Sequence, residues 1–385
     1  MNRIYLDNAA TTPLAPEVLE AMMPYLTTQY GNASSIYATG RDARQAVDRA
    51  RRQMAHLIGC KPGEIYFTSG GTESDNWALK GIALANRNKG NHIITSAIEH
   101  PAVLETARWL ETQGFEVSYL PVDASGILSP AAVQEAITEK TILISIMAAN
   151  NEIGTLQPIS AIGEIARARN IPFHTDAVQA MGAVPVNVDD WQVDLLSLSG
   201  HKFHGPKGTG ALYVRSGTRI EPLLHGGAQE RSRRAGTENV AGIVGLGMAA
   251  ERAGIELHKS AARITQLRNR LIDGIIAQIP QVHLNGDRVC RLPNNANLSF
   301  RFIEGEALLL HLDLNGIAAS SGSACASGSL EPSHVLLATG LDAENAHSSI
   351  RFTLSESTTA TEIDAVLGLL PGIVEKLRAM SPLAS

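Results

Sequence analysis

The stretch SGHKFHGPKG (residues 199–208) follows the apolar run VDLLSL (193–198). This pattern predicts a buried strand that ends in a loop of glycine, histidine and proline, with Lys202 inside the loop. Most lysines are solvated, so a surface loop is one interpretation. The other is an amine held in a desolvated pocket, where it can be neutral and nucleophilic. The groups at other strand ends decide between the two.

A second strand end carries a carboxylate and an amide. The stretch IPFHTDAVQ (171–179) places Asp176 at the end of an apolar strand and Gln179 three residues later. Pyridoxal phosphate, a cofactor that is bound covalently by a lysine, needs a carboxylate at its ring nitrogen to keep that nitrogen protonated. Asp176 suits this role, and Gln179 suits a hydrogen bond to the ring hydroxyl. A helix N-cap is the competing interpretation of Asp176.

A phosphate site is indicated by the residues between a strand and a helix. EIYFT (64–68) is predicted to be the strand, and SGGTESD (69–75) leads from it into the helix. A glycine pair ahead of the helix, with a Thr72-x-x-Asp75 cap in the first turn, leaves backbone N–H groups directed at one point. Capping boxes are common, so the motif alone is weak.

Two further strand ends carry polar side chains. NHIITSA (91–97) leads to His100, which precedes a proline suited to the first position of a helix. His100 is either a cap, or it stacks on a cofactor ring and moves protons at neutral pH. TILISIM (141–147) is almost wholly apolar, as in a doubly covered parallel sheet, and leads to Asn150, a candidate contact for cofactor and substrate. At least five such strand ends predict an open α/β sheet with a ligand site at one edge.

Composition excludes several classes of protein. A chain of 385 residues with 44% apolar content exceeds the usual size of one core, so two domains are expected. The net charge is -6, and the one basic cluster, RSRR (231–234), is short and lacks aromatic residues, which does not indicate nucleic-acid binding. No apolar run is long enough to span a membrane, and no apolar signal region opens the chain. A cytoplasmic protein is expected.

Cys325 differs from the other two cysteines, Cys60 and Cys290, in its surroundings. Three cysteines are too few and too scattered for a disulfide framework. The loop AASSGSACASGS (318–329) contains only alanine, serine and glycine besides Cys325, so we expect it to be mobile. A thiol on such a loop can accept a sulfur atom in a pocket and carry it out. A linker with an incidental cysteine is the alternative.

The chain beyond this loop contributes one more candidate. Arg351 lies in the predicted strand SIRF (349–352). Its planar guanidinium suits bidentate binding of an amino acid carboxylate, and a surface salt bridge is the alternative. Pro371 is predicted to kink or split the last helix.

Together these motifs resemble those of the cysteine desulfurases, specifically the NifS/IscS branch. The similarity runs from about residue 4 to about residue 370 and rests on SGHKFHGPKG, HTDAVQ, YLDNAATTP (5–13) and SSGSAC (320–325). It implies fold type I of the pyridoxal-phosphate-dependent transferases, an α/β fold like that of aspartate aminotransferase. A large domain (16–255) would hold a mostly parallel seven-stranded sheet. A smaller α+β domain (1–15 and 256–385) would carry the cysteine loop (318–331).

The resemblance also implies an activity and a set of site residues. The enzyme would remove sulfur from L-cysteine, leaving L-alanine and a persulfide on Cys325, with Lys202 and His100 as the other catalytic residues. Asn150 and Arg351 would bind the substrate. The residues implied as contacts of pyridoxal phosphate are Gly71, Thr72, His100, Asn150, Asp176, Gln179, Ser199, Gly200, His201, Lys202 and Thr237. In the family, the threonine that matches Thr237 reaches the partner's cofactor phosphate across a homodimer interface.

The sulfur acceptor and the rival functions stay open at this point. The acceptor would be an iron–sulfur scaffold or another sulfur-accepting protein, and Cys325 is a candidate transient ligand of an iron–sulfur cluster. The chain ends at Ser385 without the longer tail by which some members dock their scaffold. The rivals are an aminotransferase or selenocysteine lyase of the same fold, and a scaffold or sulfur carrier with little chemistry of its own. A bare scaffold does not need the lysine, aspartate, glutamine and cysteine together.

Overall fold

The computed structural model describes residues 3–321 and 331–381. Its main sheet has seven strands: β2 (Ile65–Thr68), β3 (His92–Ser96), β4 (Glu116–Leu120), β5 (Thr141–Ser145), β6 (Phe173–Asp176), β7 (Leu195–Ser199) and β8 (Gly210–Val214). Their order is β2-β8-β7-β6-β5-β3-β4. β8 is antiparallel to both of its neighbours, and all other pairs are parallel. The expected mostly parallel seven-stranded sheet is confirmed.

Helices cover this sheet, which explains why its strands are nearly continuous apolar runs. Every residue of β5, β6 and β7 is buried. The helices up to the middle of the chain are α1 (Pro16–Thr27), α2 (Ala38–Ile58), α3 (Gly71–Asn86), α4 (Pro101–Thr112), α5 (Pro130–Ala136), α6 (Ile159–Ala168), the short left-handed turn α7 (Gln229–Ser232) and α8 (Val240–Gln278). Since the strands before these helices run in one direction, their carboxyl ends meet at one edge of the sheet.

A second core lies in the later part of the chain. Its antiparallel sheet contains β9 (Val282–Leu284), β10 (Asn295–Phe300) and β12 (Ser349–Thr353), and β1 (Ile4–Tyr5) pairs in parallel with β11 (Ile317–Ala318). Its helices are α9 (Gly305–Leu314), α10 (His334–Ala338), α11 (Ala343–His347) and α12 (Ala360–Met380). α8 contributes Leu246 to the first core and Leu271 to the second. The division at residue 255 stays a prediction.

Two further expectations concern helices. Pro371 lies inside α12, which continues to Met380, so the predicted split does not occur. Among the described residues, no helix has the length and apolar character needed to cross a membrane.

Candidate active site

Lys202 lies at the carboxyl edge of the main sheet, in a 3-10 turn (Gly200–Lys202) that directly follows β7. The lysine is half-buried, and its amine donates to the main-chain oxygens of Ala9 at 2.6 Å and Ala10 at 2.8 Å. The N-terminal arm therefore closes over the amine. This placement agrees with the pocket interpretation and not with a solvated loop.

The N-terminal arm is itself held by residues of the site. Gln179 Nε2 donates to the oxygen of Ala9 at 3.0 Å, and the amide and hydroxyl of Thr12 both donate to the oxygen of His201. Burial, followed by the nearby Lys202 and Lys207, lowers the pKa of His201 to about 4. Sequence analysis missed the role of the Ala9 and Ala10 main chain, because an alanine side chain carries no chemical signal.

Asp176 ends β6, which lies beside β7, the strand that precedes Lys202. Its Oδ1 accepts from the amide of Val178 at 2.8 Å, and a turn rather than a helix follows. The helix N-cap interpretation is therefore wrong. Burial raises the pKa of Asp176 to about 6, and the Lys202 charge acts in the opposite direction. The carboxyl and the amine thus share one site.

The predicted phosphate site lies at the start of α3. The helix begins at Gly71 with Gly70 as its cap residue, and no side chain caps its first N–H groups. The predicted capping box of Thr72 and Asp75 is therefore wrong. A Cβ added to Gly70 would lie 3.7 Å from the hydroxyl of Ser199, so the end of β7 borders this site. Uncapped N–H groups at a helix start favour an anion.

His100 is the N-cap of α4. Its Nδ1 accepts from the amide of Ala102 at 3.1 Å, so in the neutral ring the proton is on Nε2. Burial, with smaller contributions from Lys202 and His334, lowers the pKa of His100 to about 4. The cap interpretation is confirmed, and the influence of Lys202 shows that the imidazole also lies near the amine. At neutral pH this histidine is uncharged.

Asn150 is fully buried, and its amide is engaged at both ends. Nδ2 donates to the oxygen of Ile98 at 2.9 Å, while Oδ1 accepts from the amides of Glu152 and Ile153. The side chain thus shapes the turn after β5. Direct contact with a cofactor or substrate would require some of these bonds to be exchanged, and it stays a prediction.

Arg351 is buried in β12, where it approaches the large sheet. Nη2 contacts Asp7 Oδ1 at 2.9 Å and Nη1 donates to the oxygen of Asn151 at 2.9 Å. Nε has no hydrogen-bond partner among the described residues. The pairing with Asp7 was not predicted, because these residues are far apart in the sequence. The carboxylate of Asp7 therefore occupies the position at Arg351 that was expected for the substrate carboxylate.

Cys325 lies outside the described residues. The described residues on either side of its loop are attached to the site. The main chain of Ser320 pairs with that of Arg351, with Arg351 N donating to Ser320 O at 2.7 Å. After the loop, the Ser333 hydroxyl donates to the carboxylate of Glu152, next to Asn151. Both ends of the loop therefore lie close to Arg351.

Thr237 is exposed and lines a surface cavity of about 230 Å³ together with Ser69 and Arg234. Arg234 forms two hydrogen bonds to Glu73, in the first turn of α3. The segment that carries Thr237 is thus attached to the predicted phosphate site. Its role across a dimer interface stays a prediction.

Pyridoxal phosphate fits these residues. A Cβ on Gly71 would lie 2.8 Å from Val178 Cγ2, so the start of α3 packs directly on the turn that follows Asp176. One surface therefore offers uncapped N–H groups for a phosphate, a buried carboxyl for a ring nitrogen and a lysine amine. In the described parts of the chain, no cluster of three or more His, Cys, Asp or Glu side chains is arranged to hold a metal ion.

The comparisons with known proteins agree with a pyridoxal-phosphate site. The aminotransferase class-V family model matches residues 4–366. The cysteine desulfurase IscS of Methanosarcina thermophila is 60% identical, over 99% of this chain and 94% of that relative. A solved NifS-like protein is 40% identical with a TM-score of 0.92, over 97% of this chain and all of that one. A structure of SspA in complex with cysteine is also 40% identical, with a TM-score of 0.82 over 92% of this chain and all of that one.

Proposed function

The chain belongs to the aminotransferase class-V family, and we propose that it is a pyridoxal-phosphate-dependent cysteine desulfurase in which Lys202 binds the cofactor and Cys325 accepts the sulfur. One observation carries the assignment of the site. The Lys202 amine and the amide of Gln179, three residues after Asp176, both donate to the main-chain oxygen of Ala9, and the directions of the pKa shifts agree with Lys202, Asp176 and His100 sharing one site. These three groups come from three separate strand ends.

The overall reaction balances without an added oxidant or reductant. The C–S bond of L-cysteine breaks, and an S–S bond forms between that sulfur and the Cys325 thiol. The electron pair of the C–S bond stays with carbon, which takes a proton and becomes the methyl group of L-alanine. Cys325 is left as a persulfide.

The residues that would hold the cofactor are those that the sequence indicated. Asp176 would face its ring nitrogen, Gln179 its ring hydroxyl and His100 one ring face. Gly71, Thr72 and Ser199, with the Gly200 and His201 turn, would surround its phosphate end. When bound, pyridoxal phosphate supplies an electron sink for negative charge at the substrate Cα.

Lys202 and His100 are placed to move protons. The Nζ of Lys202 would take the proton from the substrate Cα, and the main chain of Ala9 and Ala10 holds this amine in position. His100 keeps a neutral ring with a proton on Nε2, which can be donated near the substrate sulfur or carbon.

Arg351 would bind the substrate carboxylate. Its guanidinium is held in place by the oxygen of Asn151, and its Nε has no hydrogen-bond partner among the residues that the structure describes. Asp7 is only partly buried, so it can turn away and give its position to the incoming carboxylate. This exchange would hold the substrate close to Ser320, whose main chain pairs with that of Arg351.

A homodimer is supported by the surface around Thr237. Arg44 in α2 bonds both Glu238 and the oxygen of Ala33, which fixes the segment between α1 and α2 beside Thr237. This segment exposes Ile36, at 90%, and Tyr37, at 60%. Burial of these apolar side chains by a second copy would bring Thr237 to the partner's phosphate site.

The persulfide sulfur would pass to an acceptor protein in the cytoplasm, such as an iron–sulfur scaffold. The name IscS, which the relatives carry, supports an acceptor of this kind. A transient role of Cys325 as a cluster ligand belongs to the same proposal, because it requires the acceptor to dock at the loop.

The lysine assignment is tested by reduction with borohydride followed by peptide mapping. The purified protein should absorb in the visible range, and reduction should fix a pyridoxyl group on Lys202. Lys207, an exposed lysine in the same loop, provides the matched control. Lys207→Ala should keep the absorbance and Lys202→Ala should lose it. A pyridoxyl group on Lys207, or none on either lysine, would contradict the proposal.

A further inference from the structure

Asp176 is not the only carboxyl side chain buried behind the carboxyl edge of the main sheet, yet it is the only one that the proposed reaction uses. Asp75, on the second turn of α3, is 1% exposed, and Glu99, next to His100, is fully buried. Buried carboxyl groups are normally paired with a cation or fully hydrogen-bonded. The surroundings of Asp75 provide no cation and leave one of its two carboxyl oxygens without a partner among the described residues.

Asp75 Oδ1 has no hydrogen-bond partner among the described residues. His174 Nε2 lies 3.6 Å away, and both ring nitrogens of His174 are already engaged, with Ser145 Oγ at 2.8 Å and Ser197 Oγ at 2.9 Å. Burial lowers the pKa of His174 to about 3, so its ring is neutral at neutral pH. The histidine therefore supplies no positive charge to the carboxyl.

The other groups that face Asp75 are also acidic or neutral. They are Asp176 on β6, Glu99 at the end of the turn after β3, and the hydroxyl of Ser197 on β7, which lies opposite Asp176 in the β6–β7 register and whose hydrogen bond to Asp75 opposes the rise of its pKa only in part. One oxygen of Glu99 accepts from Ser96 and Met147, while the other has no partner in the described part of the chain. An ionised Asp75 would be a second buried negative charge beside Asp176, with no cation of its own.

We propose that Asp75 is a neutral carboxylic acid at neutral pH and that its proton confines the negative charge of the Asp75–Asp176 pair to Asp176. This inference rests on the proposed function, in which Asp176 faces the cofactor ring nitrogen. Asp75 is a positioning residue that acts through Asp176 and does not touch the cofactor. α3 would then contribute to the cofactor site in two ways. Its first N–H groups would bind the phosphate, and Asp75, one turn later, would act on Asp176.

The direction of the pKa shifts agrees with this distribution of charge. Two close carboxyl groups compete for one proton and titrate as a pair. Burial, followed by the charge of Asp176, raises the pKa of Asp75 well above its ordinary value. At Asp176, Lys202 opposes the rise, and the pKa is about 6. The proton therefore stays on Asp75 and not on Asp176, whose pKa Lys202 lowers.

Infrared spectroscopy of the purified protein tests the proposal without turnover. At pH 8 the wild type should show the C=O stretch of a protonated carboxyl that shifts when aspartate is labelled with ¹³C at its side-chain carboxyl. The label leaves any band of Glu99 in place. Asp75→Asn should lack the shifted band. If wild type shows no label-sensitive C=O band at this pH, Asp75 is ionised and the proposal fails. This labelling experiment needs no variant, so it stays decisive if Asp75→Asn does not fold.

A second readout separates positioning from a merely structural role. Asn has the shape of the neutral acid, so Asp75→Asn should bind pyridoxal phosphate at neutral pH nearly as tightly as wild type. Asp176→Asn should lose about tenfold or more in affinity. In wild type the absorbance of the bound chromophore should change at alkaline pH as Asp75 ionises, and this change should be absent in Asp75→Asn. An equal loss of affinity in both variants would contradict the proposal. A wild type that binds no pyridoxal phosphate would instead contradict the proposed function.

Discussion

Two buried arginines, Arg51 and Arg351, each pair with an acidic residue, yet their surroundings differ. Arg51 in α2 forms a bidentate pair with Glu230 at 2.6 and 2.8 Å, donates to the oxygen of Ile65 and lies 4.7 Å from the Phe67 ring centroid. Arg351 makes one contact to Asp7 and one to Asn151, and its Nε has no partner among the described residues.

The difference indicates how a structural arginine can be distinguished from a binding one. Burial and charge pairing are common to both. What differs is the hydrogen-bonding capacity that remains and the exposure of the acidic partner, since Glu230 is 3% exposed and Asp7 is 19% exposed. A bidentate pair with a buried acid holds the fold, whereas a pair with a single contact and a partly exposed acid can exchange its partner for a ligand.

Arg51→Met should produce the largest change in stability. It leaves the Glu230 carboxylate buried without a cation, which costs about 3–5 kcal/mol of the free energy of unfolding. Urea unfolding of the apoprotein measures this loss. Replacing Glu230 with Leu in the same chain should recover much of it, because no unpaired charge then remains. A loss of less than about 1 kcal/mol for the single variant would remove the distinction between the two arginines.

Arg351→Gln should act on substrate binding instead. Loss of a charged, bidentate contact is expected to raise the KM for L-cysteine about 100-fold, which corresponds to about 2.7 kcal/mol. Steady-state formation of alanine measures the change. Arg351→Lys keeps the charge but not the planar fork, so it should recover only part of the affinity. An unchanged KM would mean that Arg351, like Arg51, only holds the fold.

The pH dependence of stability also distinguishes the two regions, because the neutral histidine His100 belongs to the candidate active site. The folded pKa of His100 is about 4, below its ordinary value of 6.5, so the unfolded chain binds more protons between these pH values. Stability therefore falls as pH decreases through this window, and His100 contributes about 2 kcal/mol of that fall between pH 7 and 5. Urea unfolding of His100→Gln at both pH values should show a correspondingly smaller difference. His56→Gln, at an exposed position of α2, is the matched control, and equal behaviour of the two variants would contradict the assignment.

Ser232→Gly should give the smallest effect, and it should be stabilising. Glu230, Arg231 and Ser232 have φ values of 44°, 59° and 62°, a left-handed run that costs about 1 kcal/mol per non-glycine residue. The bidentate Arg51–Glu230 pair holds the backbone in this left-handed conformation. Glycine at the exposed position 232 should therefore raise the free energy of unfolding by up to about 1 kcal/mol. Thr28→Gly, at an exposed residue with φ of -100°, should lower it. A destabilised Ser232→Gly would mean that the turn is not strained.

The sequence predicted those features that local pattern encodes. The apolar runs before Asp176 and Lys202 are strands, and their polar ends do meet at one edge of the sheet. Contacts between distant residues were not predictable in this way. Arg51 lies in a helix with many other charged residues, and its partner Glu230 lies 179 residues later. Asp75 was assigned to a cap because its spacing from Thr72 fits one, whereas the helix starts at Gly71 and buries Asp75.

The most direct test of the function is a single turnover with L-cysteine in the absence of reductant. The wild type, Cys325→Ala, Cys60→Ala and Cys290→Ala cover all three cysteines of the chain. Each subunit of the wild type should form one alanine and gain one sulfur atom, which peptide mass spectrometry should locate on Cys325. The variants of Cys60 and Cys290 should behave as wild type, and Cys325→Ala should form neither product. A full yield of alanine from Cys325→Ala, or a persulfide on Cys60 or Cys290, would contradict the account.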